Sequence, residues 1–388
     1  MKILIFLPQF LYGGAERLGV ELAVDLNRKG VHADVIGMYF ENYKHSLEAR
    51  NELIQRGVPK VFFLGLSPNP SILGLLFGAV RLSQMVREQK YDVIETSSLS
   101  TGVIASWACR GTGVRHVVGL HRTFNRSEDY SLRFMVFLIS VRLIYKAQFY
   151  VVSNYARKSW KNLNLFSTKK IYTVYNSIAP SRAISFNYRA RLIRELGVDD
   201  SVRILICVAR LALYKHQELV LDAVAPICVE KNLILIFVGS PDLSINGTRE
   251  MLLSIENKIS KNCLRERVRF LGQREDVYDL MTASDVLVHA ASRESFGLVL
   301  AEAMSLGLPV VSTSVEGIPE VLAETDSILV PPGDSLALRE AILTVLSRSQ
   351  EEAVSACVKG KTRAMQFDQD HRTKAMVSLF KDVISGRC

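Results

Sequence analysis

The sequence contains no apolar run of the roughly 20 residues that a membrane-spanning helix needs. Its longest apolar stretches, near Ile72–Val80 and Phe134–Ile144, are broken by Arg81, Arg133 and Arg142. The N-terminal run Ile3–Leu7 is too short for a signal-peptide core and passes into Pro8-Gln9, so it reads as a first buried strand. The six cysteines, Cys109, Cys207, Cys228, Cys263, Cys357 and Cys388, form no C-x-x-C pair, and none has a histidine at zinc-ligand spacing. Isolated thiols of this kind read as buried small hydrophobes in a reducing compartment. No low-complexity segment or internal repeat is present. There is also no G-x-G-x-x-G after the first strand and no acid closing the second, which argues against a dinucleotide site.

What is there is a globular composition, with 48% hydrophobic and 22% charged residues over 388 positions, enough for two domains. The net charge of +9 is unevenly placed. Residues 1–180 hold 23 Lys+Arg against 12 Asp+Glu, and the remainder holds 25 against 27. A basic first half points to an anionic partner: nucleic acid, anionic lipid or acidic glycan, with a merely solvated basic surface as the plain alternative. Nucleic acid is disfavoured because the aromatics fall in apolar runs instead of alternating with the basic residues.

Short apolar runs recur between longer helical patterns. In the first half they are Lys2–Leu7, Ala33–Met38, Val61–Leu64, Val93–Glu95, His116–Leu120, Phe149–Val152 and Ile171–Val174. In the second they are Ile204–Val208, Leu233–Val238, Val268–Phe270, Val286–His289, Val310–Ser312 and Ser327–Val330. Continuous apolar runs suit strands covered on both faces, and strand–helix alternation implies parallel βαβ units. The pattern restarts near residue 200, after a polar, proline-containing stretch, Asn176–Tyr188. The expectation is an α/β chain of two doubly wound parallel sheets. Ligand-binding residues should lie just beyond strand ends.

Three places there carry chemistry. Gly13-Gly14 follows the first strand and precedes the helical pattern Leu18–Leu26, so backbone N–H groups could meet an anion; a plain tight turn is the alternative. Arg210 and Lys215 follow Ile204–Val208, where two cations could neutralise a diphosphate or simply be solvated. Glu294-Ser-Phe-Gly297-Leu298 precedes a helix that carries Glu302 inside an apolar run and closes at Gly307 and Pro309. That helix mouth, expected near Phe296 or Gly297, can receive a phosphate. Glu302 can accept ribose hydroxyls, and Glu294 sits beside the phosphate's far side. Taken singly, each acid also reads as an ordinary helix acid.

With Gly13-Gly14-Ala-Glu-Arg, His121 after Val117–Leu120, Val152-Ser153-Asn, Asn176, Arg210 with Lys215, Val238-Gly239, Phe270-Leu-Gly272 and Glu294-x7-Glu302 in order, nearly the whole chain resembles the retaining glycosyltransferases of family 4 (glycosyl transferases group 1). The resemblance implies a GT-B fold, two Rossmann-like domains facing across a cleft. Residues 1–178 would be the acceptor domain, 179–365 the nucleotide-sugar donor domain, and 366–388 a helix returning to the first. It implies that Glu302 holds the donor ribose, Glu294 the sugar hydroxyls, and Arg210 and Lys215 the diphosphate. Gly13, Gly14, Gly297 and Leu298 would touch phosphate or sugar, His121 would lie near the scissile bond, and the base would rest by Gly272, Gln273 and Arg274. Gly239 would belong to the phosphate loop, although Ser240 follows where many members have a second glycine, and His216 stands where many have glycine.

The implied activity is retaining transfer from a UDP- or GDP-sugar, with no cofactor and no metal, to a glycan or lipid-linked acceptor in surface polysaccharide or lipopolysaccharide assembly. The acidic pair Glu275-Asp276, close to the expected base, leans weakly toward guanine. Asp368-Gln-Asp370 resembles a metal-binding D-x-D but offers too few ligands and reads as surface acids. An epimerase or phosphorylase on the same fold, or a non-catalytic membrane-docked protein, are the competing readings. The protein is expected to be cytoplasmic, peripheral on the inner membrane face. Ser71–Arg87 and Ser131–Lys146 are either interfacial helices or core helices of the first sheet.

Overall fold

The computed structural model describes residues 1–10, 14–41, 46–68, 70–124, 147–162, 170–178 and 187–387. Gly13, Ser131–Lys146, most of Asn176–Tyr188 and Cys388 lie outside these. The chain divides into two units: residues Met1–Ser177 with Gln369–Cys388, and Ile178–Asp368. The sequence boundaries stood after 178 and 365.

The first unit is built on a parallel sheet of β1 (Lys2–Leu7), β2 (His32–Tyr39), β3 (Val61–Leu66), β4 (Val93–Thr96), β5 (Arg115–Leu120), β6 (Gln148–Val151) and β7 (Ile171–Thr173). Their spatial order is β3-β2-β1-β4-β5-β6-β7, so the winding reverses between β1 and β4. The inner strands are buried on both faces, as their continuous apolar composition requires, and the edge strands β3 and β7 are partly covered. The helices Gly14–Arg28 and Gln369–Ile384 pack one face, where Met376, Leu379 and Phe380 meet Ile3, Ile5 and Leu22. Each such fully buried side chain contributes about 1.5–3 kcal/mol. The helices Ile72–Gln89 and Leu99–Ala108 pack the other.

The second unit repeats the plan with β8 (Arg203–Val208), β9 (Leu233–Val238), β10 (Val268–Phe270), β11 (Val286–His289), β12 (Val310–Thr313) and β13 (Ile328–Val330). The order is β10-β9-β8-β11-β12-β13, reversing between β8 and β11. The helices Gln217–Val224, Thr248–Lys261 and Ser335–Leu346 share one core with it. The loops after β1, β4, β8 and β11 therefore open at the two reversal points, where open α/β sheets bind ligands.

Several expectations change. The first helix begins at Gly14, not Leu18, so Gly14 occupies its first turn. The helix Ile72–Gln89 is a core helix on one side only. It seats Gly78, Ala79, Leu82 and Val86 against the sheet, while Leu73 and Phe77 are 77% and 71% exposed beside Ile72, Leu76 and Val80. Cys207 and Cys228 are buried as expected, but Cys263 is exposed and Cys109 and Cys357 are only partly covered. Asp368 precedes the last helix instead of lying within it, and Asp370 pairs with Lys29 and Lys374. Among the described residues no helix is long and apolar enough to cross a membrane, and no group of acids, histidines and cysteines could hold a metal ion.

Candidate functional site

In the second unit, the loop after β8 carries Arg210 and the single turn Leu213–Lys215. His216 follows with φ 49°, the left-handed conformation that glycine adopts without cost. Gln217, fully buried at the head of the next helix, donates its Nε2 hydrogen to the Arg210 carbonyl at 2.9 Å and fixes the loop's path. The Arg210 side chain is 65% exposed, and its guanidinium donates to Asp242 at 2.7 Å and to the Tyr214 hydroxyl at 3.1 Å.

Lys215 points the other way. Its ammonium donates to Glu294 Oε2 at 2.5 Å, and both side chains are largely covered, at 14% and 20% exposure. His289, at the end of β11, lies 3.8 Å from the same carboxylate. Burial, the largest influence on Glu294, opposes its charge. The Lys215 charge, His289 and the Phe296 N–H together outweigh burial, and the carboxyl titrates below its usual range. His289 is pushed down to about 4, by burial first and Lys215 second, so it is neutral near pH 7.

The Glu294 loop is clamped by backbone. The Glu294 N–H donates to Glu316 Oε2 at 2.9 Å, and the Gly317 N–H donates to the Glu294 carbonyl at 3.0 Å. A Cβ on Gly317 would fall 2.1 Å from the Ser295 carbonyl oxygen, so only glycine permits this approach. Gly297, φ 86°, is the N-cap, and the helix runs Leu298–Leu306, one or two residues later than the start expected near Phe296 or Gly297. Glu302 sits in its second turn and accepts from the Tyr278 hydroxyl at 3.1 Å. The helix mouth, Lys215, Glu294 and Glu302 thus form one constellation around the β8–β11 reversal.

The other expected residues divide. A Cβ on Gly239 would lie 2.0 Å from the Ala209 carbonyl oxygen, and its N–H donates to the Gly272 carbonyl at 2.7 Å. Its immediate work is to join the ends of β8, β9 and β10. Gly272 has φ 65° with open space around it, and Gln273 is exposed. Arg274 is held by Glu195 at 2.6 Å and by Asp276 at 2.7 Å, and Asp276 also accepts from Tyr188. These bonds draw the Asp276 carboxyl well below its usual range. Asp276 is therefore committed inside the unit, which weakens the reading of Glu275-Asp276 as a guanine contact.

In the first unit, His121 follows β5 directly, and burial with the Arg372 charge pushes it down to about 3. Ser153 caps the helix Asn154–Lys161 by accepting from the Ala156 N–H at 3.1 Å, a structural use of its motif. Gly14 is exposed.

Sequence reasoning missed Gln217, Tyr278, His289, Glu316 and Gly317. Only Glu316-Gly-Ile-Pro319, a turn signal before a proline-started helix, was available as a clue.

The comparisons with known proteins agree with this geometry. The model described as "Glycosyltransferase Family 4" matches residues 12–182, and that described as "Glycosyl transferases group 1" matches 189–361. The chain is 25% identical to N-acetyl-alpha-D-glucosaminyl L-malate synthase of Bacillus anthracis, over 96% of this chain and 93% of the other. A stretch of 88 residues, 22% of this chain and 24% of the other, is 36% identical to the lipopolysaccharide glucosyltransferase WaaG of Escherichia coli. The structure of Anabaena HepE in complex with UDP and glucose superposes with TM-score 0.81 at 23% identity, covering 98% of this chain and all of that one. Two parallel-sheet units, a glycine-fronted helix with Glu294 in the loop before it and Glu302 within it, and family matches along both halves lead to one conclusion: this chain belongs to the family 4 glycosyltransferases of the GT-B fold.

Proposed function

We propose that this enzyme transfers a sugar from a nucleoside-diphosphate sugar to a glycan or lipid-linked acceptor, with retention of configuration and without a metal. The observation that carries the reading is the Lys215–Glu294 ion pair beside the mouth of the helix Leu298–Leu306. A diphosphate arriving at that mouth offers Lys215 a better anion, and the Glu294 carboxylate is then released to accept sugar hydroxyls. Arg210 can exchange Asp242 for the same diphosphate, and Glu302 can take the ribose. Loss of the leaving diphosphate breaks the bond to the anomeric carbon, and the cations steady the charge that grows on its oxygen. The acceptor oxygen bonds on the face just vacated, and its proton passes to the leaving phosphate. The carboxylate beside the Glu294 loop, Glu316, accepts from the Glu294 N–H at 2.9 Å and serves as a clamp in this scheme, not as half of a glycosidase carboxylate pair. His121 contacts the transferred sugar in this scheme. HepE's complex with UDP and glucose supports a uridine donor.

The outer face of the helix Ile72–Gln89 supports work at a membrane surface. Its apolar residues Ile72, Leu73, Leu76, Phe77 and Val80 are exposed, and Arg81, Arg87 and Lys90 follow on the exposed side. Apolar insertion plus basic attraction of about 1 kcal/mol per residue suits the anionic cytoplasmic leaflet. The alternative acceptor, a small hydroxy acid, is favoured by the nearly full-length similarity to the L-malate synthase.

The test is a thermal-shift screen of UDP-, GDP- and ADP-sugars, followed by transfer with the stabilising donor and NMR of the product anomer. Retention, undiminished by EDTA, is expected. An inverted product rejects the mechanism, and complete loss of activity with chelator rejects the metal-free reading. Sedimentation with anionic liposomes, weakened by salt, is expected of the membrane arm; no binding at low salt removes it.

A further inference from the structure

The first unit holds a polar cluster that the transfer scheme does not use. Glu95 on β4 is fully buried, beneath the last helix. Its Oε1 accepts from the Ser97 hydroxyl at 2.7 Å and from the Tyr150 hydroxyl at 2.7 Å. Tyr150 stands on β6, two strands away, and must reach across β5 to make that bond. It passes over Gly119, its register partner on β5. A Cβ on Gly119 would lie 2.5 Å from the Tyr150 hydroxyl and 3.0 Å from His121 Nε2, so any side chain there would drive the three groups apart. Glycine inside a strand marks such a close approach. His121 Nε2 lies 3.4 Å from the Tyr150 hydroxyl, with the rings edge to face at 5.9 Å.

The hydrogen count gives the arrangement a direction. Burial raises the Glu95 carboxyl above its usual range, and the Ser97 and Tyr150 hydroxyls and the Arg372 charge oppose that rise. With Oε1 accepting from both hydroxyls, Tyr150 donates its one hydrogen to Glu95. Its oxygen can then only accept from His121, so His121 must carry its hydrogen on Nε2. Arg372, 3% exposed on the returning helix, donates to the Leu18 carbonyl at 2.7 Å and sets a fixed positive charge against the group. Burial first, and that charge second, keep the imidazole unprotonated.

We propose that Tyr150 and Glu95, joined through the gap at Gly119, are positioning residues that hold His121 as the Nε2–H tautomer and present its Nδ1 lone pair to a sugar hydroxyl. The proposal rests on the reading that His121 touches the transferred sugar. A ring fixed in the other tautomer would offer a donor instead of an acceptor and would lose that hydroxyl contact.

The test is 15N NMR of the imidazoles in the full-length protein, with His121→Asn supplying the assignment. A protonated Nε2 and a bare Nδ1 are expected in the wild type. Tyr150→Phe should mix the tautomers and lower kcat by about tenfold, a single hydrogen bond's worth, while leaving the donor KM unchanged. Gly119→Ala should mix the tautomers in the same way. An Nδ1–H ring in the wild type, or a Tyr150→Phe ring unchanged from it, overturns the proposal. If Tyr150→Phe does not fold, Glu95→Gln/Tyr150→Phe removes the orphaned charge and gives the same reading. Full activity in His121→Ala would instead remove the sugar-contact reading and leave the tautomer result standing.

Discussion

The two units share a sheet plan and place their polar groups at the same topological positions, yet they treat charge in opposite ways. In the second unit the ion pairs sit in loops beyond β8 and β11. Arg210 is mostly exposed, and Lys215 and Glu294 retain some exposure. Such pairs can exchange partners, because the charge they lose is replaced by another of the same sign. In the first unit Glu95, Tyr150 and Arg372 are buried within the sheet and its covering helix. A buried charge is tolerated only while its partners stay in place. In the proposed scheme one unit gives up its internal bonds to an incoming anion, and the other keeps a ring fixed.

The comparison breaks most readily at Arg372. Arg372→Ala removes a buried guanidinium, its hydrogen bond to the Leu18 carbonyl and a charge that opposes the burial-driven rise of the Glu95 carboxyl, and should cost about 3 kcal/mol. Calorimetry should show the loss in the first unit; an unchanged melting temperature would mean that the buried cluster is not held by charge. Next comes Lys215→Ala, which should lower kcat by about a hundredfold, as removal of a leaving-group stabiliser does. Its folding should be preserved, and Glu294→Gln should behave alike. Near-normal turnover in either variant would dissociate the pair from the chemistry.

The smallest effect is on pH. His116, held between Thr96 at 2.9 Å and Ser106 at 3.1 Å, is pushed down to about 3 by burial, as His121 is, and His289 to about 4. These folded values lie below the ordinary 6.5. The stability they confer is complete above pH 6.5, and it is lost as pH falls, because the unfolded chain then binds protons that the native rings refuse. Each ring adds to that loss as pH falls toward its own native value. The first unit, with two such rings, should melt ahead of the second between pH 6 and 5. Simultaneous melting, or a flat profile, would contradict the suppressed protonation of these rings.

Continuous apolar strands such as Leu233–Val238 can only be covered on both faces, so the parallel sheets were legible without coordinates. That Arg210 and Lys215 follow β8, that Glu294 follows β11 and that Glu302 lies inside the next helix was legible too, from strand patterning and helix-stop signals. The glycines were only half legible. Gly239 and Gly317 were needed by carbonyl oxygens distant in sequence, which no local pattern records. The apolar stripe of Ile72–Gln89 had the same periodicity whether it faced core or solvent, and only packing chose the side.

The sequence by itself determined the fold class, the two-unit plan and the ordering of motifs, since periodicity and turn chemistry are local properties of the chain. The tertiary structure decided which charges are paired, with whom, and in how dry a place. Lys215 meets Glu294 across 79 positions, and Tyr150 reaches Glu95 across 55. Distances of that kind come from strand order, and electrostatic strength depends on the burial that strand order creates.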